Sequence, residues 1–155
     1  MKLNRTLIAT GLAAAAIVAA PLAANAQTVP DYNYVGIGGG DDGFVINGKV
    51  TLSDHLSVRP AVATDFDFDD GDDVNYTLPV TYDFNSLDSQ GRLFPFIGAG
   101  IDGQIGDDSD IEFAVTGGAD YRINENFLVN GSVVWSPFQD GDDDVDFMAG
   151  IGYSF

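Results

Sequence analysis

The sequence predicts an all-β fold, an eight-stranded antiparallel up-and-down β-barrel, and three observations carry that reading. Beyond Gln27 no helical period appears, whereas eight segments alternate apolar with small or polar side chains every second residue. That alternation gives a strand two unlike faces. Each segment is about nine to twelve residues long, the length of a tilted strand that crosses a bilayer. The connections also alternate: the first, third, fifth and seventh are acidic and the others are not. In an up-and-down sheet the odd connections share one end, so the acidic ones converge on one rim.

Residues 1–26 form the first element, an export leader. Lys2 and Arg5 precede an Ala-rich apolar run from Leu7 to Ala20, and Ala24-Asn25-Ala26 is the small-x-small pattern that precedes cleavage. A helical membrane anchor would need about 20 apolar residues, and Pro21 together with the cleavage pattern favours removal. Residues 27–155 then form one domain, the barrel. With no cysteine in the chain, disulfides and thiolate chemistry are excluded, and a closed sheet must supply the stability.

The strands are expected at Tyr32–Gly40, Gly43–Ser53, Leu56–Phe66, Val74–Phe84, Leu93–Ile105, Ile111–Ile123, Phe127–Ser136 and Val145–Phe155. One face is apolar: Ile46, Val50 and Leu52 in the second, Val58, Pro60 and Val62 in the third, Leu78, Val80 and Tyr82 in the fourth. Phe113, Val115 and Tyr121 continue it in the sixth, Val129, Val133 and Trp135 in the seventh, and Phe147, Ile151 and Tyr153 in the eighth. In the less regular fifth, Ile97, Ala99 and Ile101 go to that face. The opposite face holds Asn47 and Lys49, Ser57 and Arg59, Thr81 and Asp83, Thr116 and Asp120 with Arg122, and Asn130 with Ser132.

Alternation alone does not say which face points outward. A soluble ligand-binding barrel turns its apolar face inward, and a membrane barrel turns it to lipid. The polar face here is built of Gly, Ala, Ser, Thr and Asn, sizes that suit a crowded lumen. The apolar face carries aromatics at both ends: Phe44, Phe66, Tyr76, Phe113, Trp135 and Phe147 toward the acidic rim, and Tyr82, Phe84, Tyr121, Phe127, Tyr153 and Phe155 at the other. Two such girdles mark the two lipid–water interfaces. The fold class is therefore a transmembrane barrel, the one alternative to helices that satisfies backbone groups in lipid.

The last strand ends on Phe155, with Gly150, then Tyr153 three residues on, then the terminal aromatic. On these residues the chain resembles the small eight-stranded outer-membrane barrels of the OmpA/OmpX type, which are porin-like in build. Met148 departs from that family's polar leading position. The resemblance implies that the termini and even-numbered turns face the periplasm and that the acidic rim faces outside. It further implies a monomer in outer-membrane lipid, delivered by periplasmic chaperones and inserted by the barrel-assembly machinery through the signal of Gly150, Tyr153 and Phe155.

Charge limits the partners. The chain has 24 acidic against 6 basic residues, a formal net charge of −18. Such a surface repels nucleic acid and admits basic partners or divalent cations. The candidate cation-binding connections contain Asp67, Asp69, Asp70, Asp72 and Asp73; Asp107, Asp108 and Asp110; and Asp140, Asp142, Asp143 and Asp144. Carboxylates with flexible Gly suit calcium, yet the EF-hand register fails because Asp70 stands where Gly is needed and Gly71 comes one residue late. Weak calcium binding is the expectation, with no resident cofactor.

Inward-facing Lys49, Arg59, Asp83, Asp120 and Arg122 are expected to form an ion-pair network in one half of the lumen, where unpaired charge would be costly. Two other readings follow from the same residues. A narrow cation-selective channel would use the acidic mouth to concentrate ions. A lipid A-modifying enzyme would use His55 and Ser57, a His-x-Ser pair that sits in a turn at the wrong end for a surface enzyme. Gly38-Gly39-Gly40 opens no helix and is a barrel bend, not a nucleotide site. The sequence favours a non-catalytic envelope protein displaying an acidic rim.

Overall fold

The structure, a computed structural model, describes residues 29–64, 74–105, 110–137 and 144–155. The expected leader and most of the long acidic connections lie outside these residues. Eight antiparallel staves form β1 (Tyr34–Gly40), β2 (Gly43–Ser53), β3 (Leu56–Val58 and Ala61–Thr64), β4 (Val74–Asp83), β5 (Leu93–Ile105), β6 (Asp110–Arg122), β7 (Phe127–Ser136) and β8 (Asp144–Ser154). Each pairs with the next, and β8 pairs with β1 from Gly40↔Met148 to Tyr34↔Ser154, so the sheet is closed. Among the described residues every stave therefore has a neighbour on both sides, and no stave is an edge strand.

β3 is one stave in two pieces because Pro60 has no N–H to give to the ladder. The register on β2 nevertheless runs unbroken from Val50↔Val58 to Asn47↔Ala61, and that on β4 from Val58↔Val80 to Ala61↔Thr77. Two backbone bonds carry the ladder across the gap, from Gly48 N–H to the Pro60 carbonyl at 3.0 Å and from Arg59 N–H to the Pro79 carbonyl at 3.1 Å.

The remaining strand limits agree with the alternation to within one residue, except at two places. The expected end of the third strand, Phe66, lies outside the described residues. β1 begins at Tyr34, not Tyr32, because the preceding residues leave the barrel wall and turn inward. The Gly40–Gly43 hairpin closes on Asp41 and Asp42, and Gly43 adopts a left-handed φ of 92° that an L side chain would resist.

The two faces divide as the period of two requires. Ile37, Ile46, Val50, Val80 and Ile151 are 50–59 % exposed on the outside. Lys49, Ser57, Thr81, Asp83 and Asp120 are fully or almost fully buried within. The barrel is thus apolar outside and charged inside. Exposed aromatics ring the outer surface at both ends, Tyr82, Tyr121, Phe127, Tyr153 and Phe155 at the end where the chain enters β1, and Phe113, Trp135 and Phe147 at the other. We call the first the basal end and the second the rim end.

The described strand ends flanking 65–73, 106–109 and 138–143 lie at the rim end, as does the Asp41-Asp42 turn. At the closing seam Gly36 faces Gly152 and Gly38 faces Gly150. A Cβ on Gly38 would run into the carbonyl of Ala149, so the seam closes tightly because these positions lack side chains.

Candidate functional site

The densest chemistry lies in the basal half of the lumen, where four staves each deliver one charge. Lys49 comes from β2, Arg59 from the bridge within β3, Asp83 from the end of β4 and Asp120 from β6. Their inward direction follows from the strand period, and their long side chains reach one another across the lumen. Lys49 Nζ lies 3.1 Å from Asp83 Oδ2. Arg59 joins both acids, at 3.0 Å to Asp83 Oδ1 and 2.9 Å to Asp120 Oδ2. Two cations and two carboxylates thus alternate in one chain, Lys49–Asp83–Arg59–Asp120.

Neutral groups complete it. Arg59 Nε donates to Thr81 Oγ1 at 3.2 Å, and its Nη1 donates to the Tyr34 hydroxyl at 3.4 Å. The guanidinium lies 3.6 Å from the Phe96 ring centroid, a cation–π contact in a desolvated place. Ser57 Oγ donates a hydrogen bond to Asp83 Oδ2. Lys49 Nζ donates to the Pro30 carbonyl at 3.0 Å and lies 3.7 Å from the Tyr32 ring centroid. Full satisfaction of this kind lets charges remain in a low-dielectric interior.

Arg122 stands apart from the ion pairs that the other four make. Its Nη2 donates to the Glu125 carbonyl at 3.1 Å, and its guanidinium lies 5.2 Å from the Tyr32 ring. It is half-buried on the basal rim and its Nε has no hydrogen-bond partner among the described residues. Being two residues from Asp120 puts Arg122 on the same face, but at the mouth, where a backbone carbonyl is nearer.

Above the charges is a small chamber lined by Asn47, Thr116, Asn130, Ser132 and Met148. Asn47 Nδ2 donates to Asn130 Oδ1 at 2.8 Å. Their other amide atoms, Asn47 Oδ1 and Asn130 Nδ2, are buried without a partner among the described residues. Nearer the rim, Asp102 shares the inward side with Glu112 and accepts a 3.4 Å hydrogen bond from Ser136.

The sequence overlooked the aromatic part of this lumen. Tyr32, Tyr34, Phe94 and Leu128 form a buried cluster, with Phe96 beside Arg59. Parity was the available signal: Tyr34 shares its side with Gly36 and Gly38, and Phe94 and Phe96 share theirs with Gly98 and Gly100. Bulky inward rings fit where the same strands have glycine farther along.

The other singled-out residues scatter. His55 Nδ1 lies 2.8 Å from the Asp83 carbonyl, and its ring stacks on Tyr82 at 5.3 Å between centroids. Ser57 is fully buried and bonded to Asp83. The two thus meet different groups of one residue, His55 the Asp83 backbone carbonyl and Ser57 its carboxylate. Gly150 faces inward at the seam, while Tyr153 and Phe155 stand outside. Met148 packs half-buried against Val45, Ala61 and Ala63.

Of the candidate cation-binding residues, Asp67, Asp69, Asp70, Asp72, Asp73, Asp107, Asp108, Asp140, Asp142 and Asp143 lie outside the described residues. Asp110 and Asp144 open β6 and β8, described in backbone only. Among the described residues no group of three His, Cys, Asp or Glu is placed to hold a metal ion.

No family model and no curated protein matches the chain. Solved structures do. The N-terminal β-barrel domain of OprF from Pseudomonas aeruginosa is 16 % identical, with a TM-score of 0.59 over 83 % of this chain and 100 % of that one. Ail of Yersinia pestis, solved in a phospholipid nanodisc, is 16 % identical with a TM-score of 0.54 over 80 % of this chain and 99 % of its own. A de novo designed transmembrane β-barrel is 17 % identical, with a TM-score of 0.59 over 83 % of this chain and 99 % of the design. At these identities the likeness is one of fold, and the chain has the fold of the small eight-stranded outer-membrane β-barrels.

Proposed function

We propose that this protein is a non-catalytic integral barrel of the bacterial outer membrane that displays an acidic rim on the cell surface. The observation that carries it is the inverted barrel: exposed Ile37, Ile46, Val50, Val80 and Ile151 outside, buried Lys49, Arg59, Asp83 and Asp120 inside. A soluble barrel so built would show water a continuous apolar girdle, far larger than the patches soluble monomers tolerate. In lipid the same surface is matched, and the aromatic rings at both ends meet the interfaces. Fractionation tests this: the protein stays with outer membranes through a carbonate wash and migrates in a heat-dependent way on gels. Release into the soluble fraction defeats it.

The rim acts through its carboxylates on basic partners and divalent cations, with weak affinity for calcium. Ail of Yersinia pestis has been solved with the heparin analogue sucrose octasulfate. A polyanion of that kind is an electrostatically unfavourable ligand for a chain of net charge −18.

A cation-selective channel is the second reading, favoured by inward Asp102 and Glu112 near the rim. Against it, an eight-stranded interior is just wide enough to be filled by side chains, and here the basal half is filled by paired charges. Planar-bilayer recordings separate the two: the first reading expects no stable single-channel steps.

A further inference from the structure

The residues before β1 do not trail away from the barrel. Val29 to Asn33 turn twice, through Asp31 N–H to the Val29 carbonyl at 2.9 Å and Tyr32 N–H to the Pro30 carbonyl at 3.2 Å. These turns carry the chain across the basal mouth, with Pro30 and Tyr32 buried. The attachments reach staves around the circumference. On β2, Lys49 holds the Pro30 carbonyl, while Thr51 Oγ1 donates to the Tyr32 carbonyl at 2.9 Å and Thr51 N–H to Asn33 Oδ1 at 2.8 Å.

Across the mouth, the Tyr32 hydroxyl donates to Asp120 Oδ2 of β6 at 2.7 Å. Its ring meets Phe94 of β5 at 5.4 Å between centroids. Just past β8, Phe155 N–H donates to the Asn33 carbonyl at 3.1 Å. The Tyr32 ring also lies beneath two cations, Lys49 and Arg122.

We propose that residues 29–33 are a strap that seals the basal mouth of the barrel, with Tyr32 as its stopper, so that the lumen is a blind chamber approachable only from the rim. The bonds of the strap add partners to the buried Asp120 carboxylate and Lys49 ammonium and tie half-buried Thr51 and Asn33 together. Tyr32 completes Asp120, Pro30 completes Lys49, and Thr51 and Asn33 satisfy each other. The strap is thus an integral layer of the lumen, and its withdrawal would expose the charge network to water. The seal rests on the membrane reading only for calling the basal side periplasmic.

The absence of native cysteine allows a direct test in detergent micelles, where both ends are open to solution. Leu128, fully buried in the cluster that contains Tyr32, is replaced by Cys and treated with a charged, membrane-impermeant thiol reagent. Labelling of Leu128→Cys is expected to accelerate about tenfold or more when Tyr32→Ala is added, and to stay slow with Tyr32→Phe, which keeps the ring. Ala114→Cys, buried near the rim half, should not change with Tyr32→Ala.

Fast labelling with Tyr32 intact, or equal acceleration at both cysteines, overturns the seal. Should Tyr32→Ala fail to fold, hydrogen exchange in the unaltered protein decides. The Thr51 amide, held by Asn33, should be as protected as its strand neighbours, and exchange at the free rate overturns the strap. None of these readouts depends on where the protein resides, so they fail or succeed independently of the fractionation result.

Discussion

At the scale of single residues the lumen charges behave as one unit, and their removal should show it. Lys49→Met leaves Asp83 with less compensation in a site that is almost fully buried. Breaking one side of a buried pair costs about 3–5 kcal/mol, so urea unfolding of refolded protein should show a loss of that size. The double variant Lys49→Met with Asp83→Asn should recover part of it, because the stranded charge is gone. Arg122→Ala should cost much less than Arg59→Ala, since Arg122 gives up one carbonyl bond and a distant ring contact. Equal losses would contradict the division drawn between them.

Elements are pinned by short turns whose chemistry can be tested separately. Between β4 and β5 the Asp88 carboxylate accepts from the Arg92 and Leu93 amides at 2.6 and 2.8 Å, while Gly91 supplies the left-handed φ of 68°. What burial Asp88 has pushes its pKa up, but these backbone donors outweigh it and hold the carboxyl below its ordinary value. The sign follows: a folded-state value lower than the unfolded one, about 4, gives stability present above that range. It is lost as pH falls through the lower folded value. Asp88→Asn should therefore flatten the acid limb of stability against pH below about 4, a small effect because the turn meets solvent. An unchanged acid limb would show that the turn is pinned by other contacts.

The seam offers a sharper test at the same scale. Gly38→Val places a branched side chain against the Ala149 carbonyl, so β1 and β8 should fail to zip and the heat-resistant folded band should be lost. Gly39→Ala meets more open space, its added Cβ 3.5 Å from the Gly43 carbonyl, and should fold. This contrast was not legible in the sequence, where the two glycines look alike. The strand period was legible, as were the strand limits, because alternation is local information. Tyr32 was not, because whether a residue before a strand joins the wall or crosses the mouth depends on Asp120, Thr51 and Phe94, which are distant in sequence.

For the whole molecule the deciding quantity is the polarity of the outer band. Val80 lies near the middle of β4 and is half exposed on that surface. Val80→Arg should destabilise the barrel in a lipid bilayer by about 2–4 kcal/mol if the residue sits at midplane, measured by reversible unfolding in liposomes. A soluble barrel would tolerate the same change with little loss. At the rim, titration of refolded protein with millimolar calcium should raise the melting temperature, and no shift would leave the acidic connections as a solvated crown.

The sequence by itself determined the class of fold, the stave count and the polarity of the two faces. Each of these follows from a period of two or from composition, which act between near neighbours. Only the tertiary structure decided how the inward charges are partnered, that Arg122 stands outside the pairs, and that Pro30 and Tyr32 cap them. Those depend on register around a closed circle, where strands far apart in the chain come within hydrogen-bond distance. Periodicity says which way a side chain points, but closure says what it meets.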